Sequence, residues 1–140
     1  MSIETVAEAR TFLDSVFACL LNPNIPARAL ALYFSADYRQ EANGQILDFD
    51  QFLLHADALK ATLETAFVQL EEVIVQGPRI ADVHTVRATK KDGSTVRFKV
   101  IALYLIEDGK ISNVRELTQM LEGQPEDEDL GFRTVCAQNH

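Results

Sequence analysis

Residues 95–120 read TVRFKVIALYLIEDGKISNVRELTQM. Two strand-like runs flank Asp108-Gly109, and both central residues of a tight hairpin turn need positive φ, which Asp-Gly tolerates. The stretch is predicted to be a long strand over 95–106, a turn at Asp108-Gly109 and a strand over 111–120. A second pair, Asp92-Gly93, follows residues 80–89 and adds a third strand to the same antiparallel meander. Before it, Val68, Leu70, Val73, Ile74 and Val75 mark a further strand that breaks at Gly77-Pro78.

The N-terminal half reads differently. Val6, Phe12, Leu13, Val16, Phe17, Leu20 and Leu21 recur at helical spacing, predicting a helix over 2–21 with Ser2 as its cap. Asn22-Pro23-Asn24 ends it, and Pro26 opens a short second helix over 26–35. Asp37–Asn43 is a short strand that turns at Asn43-Gly44 and returns through Ile46-Leu47. Asp48 or Asp50 caps a third helix, 50–65, whose apolar set is Phe49, Phe52, Leu53, Leu59 and Leu63. Helices followed by a strand meander predict an α+β domain with an antiparallel sheet.

The 140 residues suit one domain. Net charge is 13 − 21 = −8, which speaks against nucleic acid and anionic membrane surfaces as partners. The charge is uneven. Residues 122–140 carry five acids and only Arg133 as a base, so they are expected to form a mobile or loosely docked acidic tail after a domain over 1–121. Cys19 and Cys136 make no disulfide framework, Cys19 reads as a small core residue, and no signal peptide or membrane-length apolar run is visible. The expectation is a cytoplasmic protein with free thiols.

Taking each Asp-Gly pair as the centre of a two-residue turn fixes a register, and register decides which side chains share a face. In that register His84, Ile101 and Glu116 form one row across three strands, with Leu103 on the same face and Lys99 diagonal to both His84 and Glu116. The opposite face then holds Thr85, Arg87, Phe98, Val100, Ala102, Tyr104, Arg115 and Leu117. The second half of the long strand is apolar on both faces, so both need cover. Helices cover one face; a second copy of the chain covers the other, predicting a homodimer through the sheet, unless the tail folds over it.

Glu116 is an acid among apolar neighbours, where lost hydration raises a carboxyl pKa and suits it to proton transfer. His84 is its candidate partner. His55 on the third helix, and Tyr38 and Gln40 on the first strand, are candidate ligand-binding residues with Lys99, Ile101 and Leu103. His55 and His84 lack metal-ligand spacing, and no P-loop, Gly-x-Gly-x-x-Gly or Gly-x-Ser-x-Gly motif occurs. Acid/base chemistry without cofactor or metal, or plain ligand binding, is left.

An ordered set of residues then resembles the nuclear transport factor 2-like superfamily, in its SnoaL-like (polyketide cyclase-like) branch. The set is Tyr38-Arg39-Gln40 before Asn43-Gly44, Phe52 and His55, His84 with Val86, Asp108-Gly109-Lys110-Ile111, Glu116-Leu117-Thr118 and the stretch 127–133. The resemblance implies a cone-shaped fold whose helices close one side of a curved sheet around an apolar pocket, with dimers through the sheet common. It also implies a pocket acid on the final strand, here Glu116. The expected function is a cofactor-independent isomerase, cyclase or dehydratase-like enzyme on a small apolar carbonyl compound. In it Glu116 is the base, His84 its relay, and Tyr38 or His55 the donor to the developing oxyanion. The alternatives are a non-catalytic small-molecule-binding or dimerisation module, in which Glu116 only pairs with Lys99, and a scaffold subunit whose free sheet face binds another protein.

Overall fold

The computed structural model describes residues 3–134; Ser2, Cys136 and His140 lie outside them. Helix α1 (Val6–Leu21) leads through a 3₁₀ turn (Ala27–Leu32) to strands β1 (Phe34–Ala42) and β2 (Gln45–Asp48) and helix α2 (Phe49–Thr62). Strands β3 (Leu63–Gln76), β4 (Arg79–Lys90), β5 (Thr95–Glu107) and β6 (Lys110–Glu122) follow, then a 3₁₀ turn at Pro125–Asp127.

Both helices begin at reciprocal caps. The Thr5 hydroxyl accepts from the Glu8 N–H and the Glu8 carboxylate accepts from the Thr5 N–H, at 3.1 and 3.0 Å. Asp48 and Gln51 do the same for α2 at 2.9 and 3.0 Å. Each box satisfies two otherwise orphaned donors and contributes about 1 kcal/mol. At the far end of α1, the Lys60 ammonium from α2 donates to the carbonyls of Cys19 and Asn22 at 2.7 and 2.8 Å, supplying a cation where the helix carries partial negative charge. Cys19 is buried and free.

The six strands form one curved, open sheet in the order β2-β1-β6-β5-β4-β3. The expected α+β architecture is present, but the sheet is mixed rather than wholly antiparallel, because β1 joins β6 in parallel. The concave face packs on the helices. Phe12, Leu13 and Val16 of α1, Phe52 and Ala56 of α2, and Ile80, Val100, Ala102, Tyr104 and Val114 of the sheet share one core. Leu59, Leu63, Ala88, Val96, Phe98 and Leu130 form a smaller cluster. No helix among the described residues is long and apolar enough to cross a membrane.

The register differs from the ideal-turn expectation at both hairpins. Asp108 and Gly109 have φ of 53° and 78°, as the tight turn requires. Just beyond it, Ile106 pairs with Ile111 but Leu105 pairs with Asn113, so Ser112 is an extra residue in a β-bulge. At the other hairpin, Lys90 bonds Ser94 and Gly93 takes φ of 89°, which makes a three-residue loop rather than two. Each extra residue slips the pairing by one, and one slip turns β5 over relative to its neighbours. His84 therefore lies opposite Val100, and Glu116 opposite Ala102. The two slips compensate between β4 and β6, so His84 and Glu116 keep a common face while Lys99, Ile101 and Leu103 leave it.

Residues 123–134 are not a loose tail. Asp127 is 1% exposed, and its carboxylate accepts from Lys90 Nζ at 2.9 Å and from the Gln124 N–H at 3.0 Å. Arg133 is buried and donates to Asp129 and to the Glu126 carbonyl. Leu130 inserts into the smaller cluster. The segment packs on the concave side, over the mouth of the cone, and leaves the convex face bare: Phe67, Ile101 and Leu117 are 73%, 57% and 67% exposed.

Candidate functional site

A cavity of about 110 Å³ lies between the sheet, the two helices and the C-terminal segment. That is several times what one water needs. Phe17, Leu20 and Leu21 come from α1, Leu59 from α2, Val86, Val96, Phe98 and Val100 from the sheet, and Leu130 and Gly131 from the closing segment. Polar groups enter at His55, His84, Glu116 and Thr118. Gly131 sits where an added Cβ would fall 2.9 Å from the Thr118 methyl, so the segment can approach β6 this closely only as glycine.

Glu116 faces this space from β6. No hydrogen bond reaches its carboxyl among the described residues. Burial raises its pKa from 4.5 to about 7, the nearby His84 opposing the shift and Asp82 adding to it. A carboxyl titrating near neutrality can either give or take a proton at physiological pH.

His84 is held from behind. Asp82 lies two residues earlier on β4 and therefore on the same face, and its Oδ2 sits 2.7 Å from His84 Nδ1. The other oxygen of Asp82 accepts the Tyr104 hydroxyl at 3.0 Å. The imidazole packs on Phe17 with ring centroids 4.7 Å apart. His55 also lines the cavity, yet its Nδ1 is 2.7 Å from the Arg133 carbonyl, to which it must donate. Burial lowers the His55 pKa to about 4, so the ring is neutral and offers the cavity an Nε2 lone pair, not a proton. The role expected for His55 as an oxyanion donor does not fit that state.

Tyr38 and Gln40 lie beneath the cavity rather than on its wall. The Tyr38 hydroxyl donates to Gln40 Oε1 at 2.9 Å, and Gln40 Nε2 has no hydrogen-bond partner among the described residues. Burial, with Glu116 adding to it, pushes the Tyr38 pKa well above 10, so Tyr38 stays protonated. Lys99, Ile101 and Leu103 are on the convex face and line no part of this cavity. Lys99 pairs with Glu71 at 3.1 Å, so the pairing of Lys99 with Glu116 is also corrected. Sequence reasoning missed Asp82, Thr118 and the Leu130-Gly131 wall. Asp82 was within reach, because residues i and i+2 of a strand share a face.

Helices closing an open, curved sheet around an apolar cavity define a nuclear transport factor 2-like cone, with its titratable groups carried on the sheet wall. Within that class, the chain belongs to the SnoaL-like domain family, whose sequence model matches residues 10–114. An uncharacterized protein of Schizosaccharomyces pombe is 34% identical over 124 residues, 89% of this chain and 95% of that one. Among solved structures, AclR, a proposed hydroxylase of Streptomyces galilaeus, superposes with a TM-score of 0.69 at 17% identity, over 92% of this chain and 88% of its own. A proposed SnoaL-like polyketide cyclase from Jannaschia sp. CCS1 superposes with a TM-score of 0.61 at 14% identity, over 85% and 91%. At such identities the structural likenesses speak for the fold.

Proposed function

We propose that the protein is an acid/base enzyme that moves a proton on a small, neutral, apolar carbonyl compound held in the cavity, without a cofactor. One observation carries this reading. Glu116, with a carboxyl lifted to about 7, shares the sheet wall of a mostly apolar cavity with His84. Among the described residues no lysine or arginine lines the space, which favours an uncharged ligand. The family's structural neighbours include a proposed cyclase and a proposed hydroxylase, which fits small-molecule chemistry in this cone. The exposed apolar side chains of the convex face support a homodimer through the sheet, and light scattering that returns only the monomer mass would remove that part.

Deuterium exchange into cyclohexanone, followed by proton NMR, tests the reading. The protein should accelerate exchange at the carbon beside the carbonyl, and Glu116→Gln should abolish the acceleration while keeping its dispersed amide spectrum. Equal exchange by both proteins would remove Glu116 from the chemistry. Binding without acceleration, seen as shifts confined to Thr118, Leu130 and Gly131, would favour the non-catalytic small-molecule-binding module instead.

A further inference from the structure

The two groups on the sheet wall are held very differently. The Glu116 carboxyl has no hydrogen bond among the described residues. His84 is fixed at Nδ1 by Asp82, while Nε2 on the far side of the ring has no hydrogen-bond partner among the described residues. Asp82 is 2% exposed and is itself oriented by Tyr104. Burial, and then the charge of Asp82, push the Tyr104 pKa far above 10. The tyrosine therefore keeps its single hydrogen and donates it to Asp82 Oδ1. One oxygen of Asp82 is thus committed as an acceptor, and the other meets the imidazole at 2.7 Å. An ionised Asp82 has only acceptor oxygens, so the hydrogen in the Asp82–His84 contact belongs to Nδ1.

We infer that Asp82 is a positioning residue that selects the Nδ1–H tautomer of His84 when the ring is neutral, so that the Nε2 lone pair faces the cavity, His84 takes the proton from the ligand and Glu116 delivers one. This rests on the proton-transfer reading above and assigns its direction, reversing the expectation that Glu116 is the base. The step balances within the pair. Nε2 takes the hydrogen on the carbon beside the carbonyl, and the C–H electrons form a carbon–carbon double bond. The carbonyl π pair moves to oxygen, which receives the Glu116 proton. The site then holds an imidazolium and a carboxylate, and the reverse transfers restore both as the enol returns to a ketone. Tyr38 and Gln40 act on neither atom in this scheme.

The tautomer can be read without any ligand, by nitrogen-15 NMR of the imidazole at a pH where the ring is neutral. In the native protein Nδ1 of His84 should give the protonated-nitrogen shift and Nε2 the lone-pair shift. Asp82→Asn tests the positioning. The one amide oxygen goes to the Tyr104 hydroxyl, which would otherwise be buried without an acceptor. The amide NH₂ then faces Nδ1, and the proton should move to Nε2. Adding Tyr104→Phe frees the amide to turn, and the double variant should regain the Nδ1–H form at least in part; Tyr104→Phe alone should keep it. A purely structural role for Asp82 predicts no reversal and no rescue. Nε2–H in the native protein, or an unchanged tautomer in a folded Asp82→Asn variant, would overturn the inference. If Asp82→Asn does not fold, the native and Tyr104→Phe spectra decide. Loss of ketone exchange in Glu116→Gln together with an Nε2–H native tautomer would sink the direction of transfer while leaving proton transfer itself standing.

Discussion

The two faces of strands β3–β6 carry similar side chains under opposite cover. On the concave face, helices and the segment 123–134 partly cover Glu116, and burial raises its carboxyl to about 7. On the convex face Glu71 falls below its ordinary value, held by the Thr85 hydroxyl first and then by Lys99. Both are glutamates on neighbouring parts of one sheet. What separates them is solvent and hydrogen bonding, not residue type. The same holds for ion pairs: Lys90–Asp127 is enclosed, whereas Lys99–Glu71 is open to water. The cone thus raises a carboxyl's pKa by what it lays over one face.

Breaking the cover should have the largest effect. Asp127→Ala removes the partner of a buried ammonium and the acceptor of the Gln124 N–H, leaving Asp92, 3.8 Å from Lys90, as a distant substitute. Breaking a buried pair strands a charge, and a loss of about 3 kcal/mol is expected by urea denaturation. If the segment seals the concave face, the same variant should also lower the Glu116 midpoint toward 4.5 in a carbon-13 titration, because water would reach it. An unchanged midpoint would show that the helices alone provide the cover.

The next effect reads the cover through pH. Glu116 titrates near 7 when folded and near 4.5 in its ordinary state. Between those values the unfolded chain has released a proton that the folded chain still binds. Stability contributed by this group therefore falls as pH rises from 4.5 to 7 and levels off above, by up to about 3 kcal/mol. Glu116→Gln carries no such penalty. It should gain on the native protein across that window and keep the advantage at higher pH, as denaturation at a series of pH values would show. A functional carboxyl that costs stability is what a site kept for chemistry predicts.

Reading the sequence alone located these groups better than it located their surroundings. The periodicities of α1 and α2, and the turns at Asn43-Gly44 and Asp108-Gly109, were legible because each rests on local conformation. The bulge at Ser112 and the three-residue loop at Asp92-Gly93 were not, because nothing local distinguishes them from ideal turns. Those two residues decide which way β5 faces. His84 and Glu116 survived the error because both neighbours slipped together; Lys99, Ile101 and Leu103 did not. The closing segment is hidden in the sequence for another reason: its acids look solvated until Lys90 and Arg133 are placed beside them. Val100 and Ile101 sharpen the comparison on adjacent residues. Val100→Ala should cost roughly 1–2 kcal/mol by opening space on the concave face. Ile101→Ala should stay within roughly 0.5 kcal/mol in the monomer. The reverse ranking would mean that the strand faces the other way.

The smallest effect is expected on the open face, and it is informative because it should be small. Glu71 accepts from the Thr85 hydroxyl at 2.6 Å and from Lys99 Nζ at 3.1 Å, with its carboxylate in solvent. Water replaces both contacts readily, and ordering two long side chains offsets much of their attraction. Glu71→Ala should leave the denaturation midpoint unchanged within error, in low or high salt. It also releases Lys99, the residue that would pair with Glu116 if β5 faced the cavity. If the sheet separates the two faces as described, freeing Lys99 leaves the Glu116 titration near 7. A downward shift of that midpoint in Glu71→Ala would mean that the ammonium reaches the cavity, and the contrast between the two faces would fail at its centre.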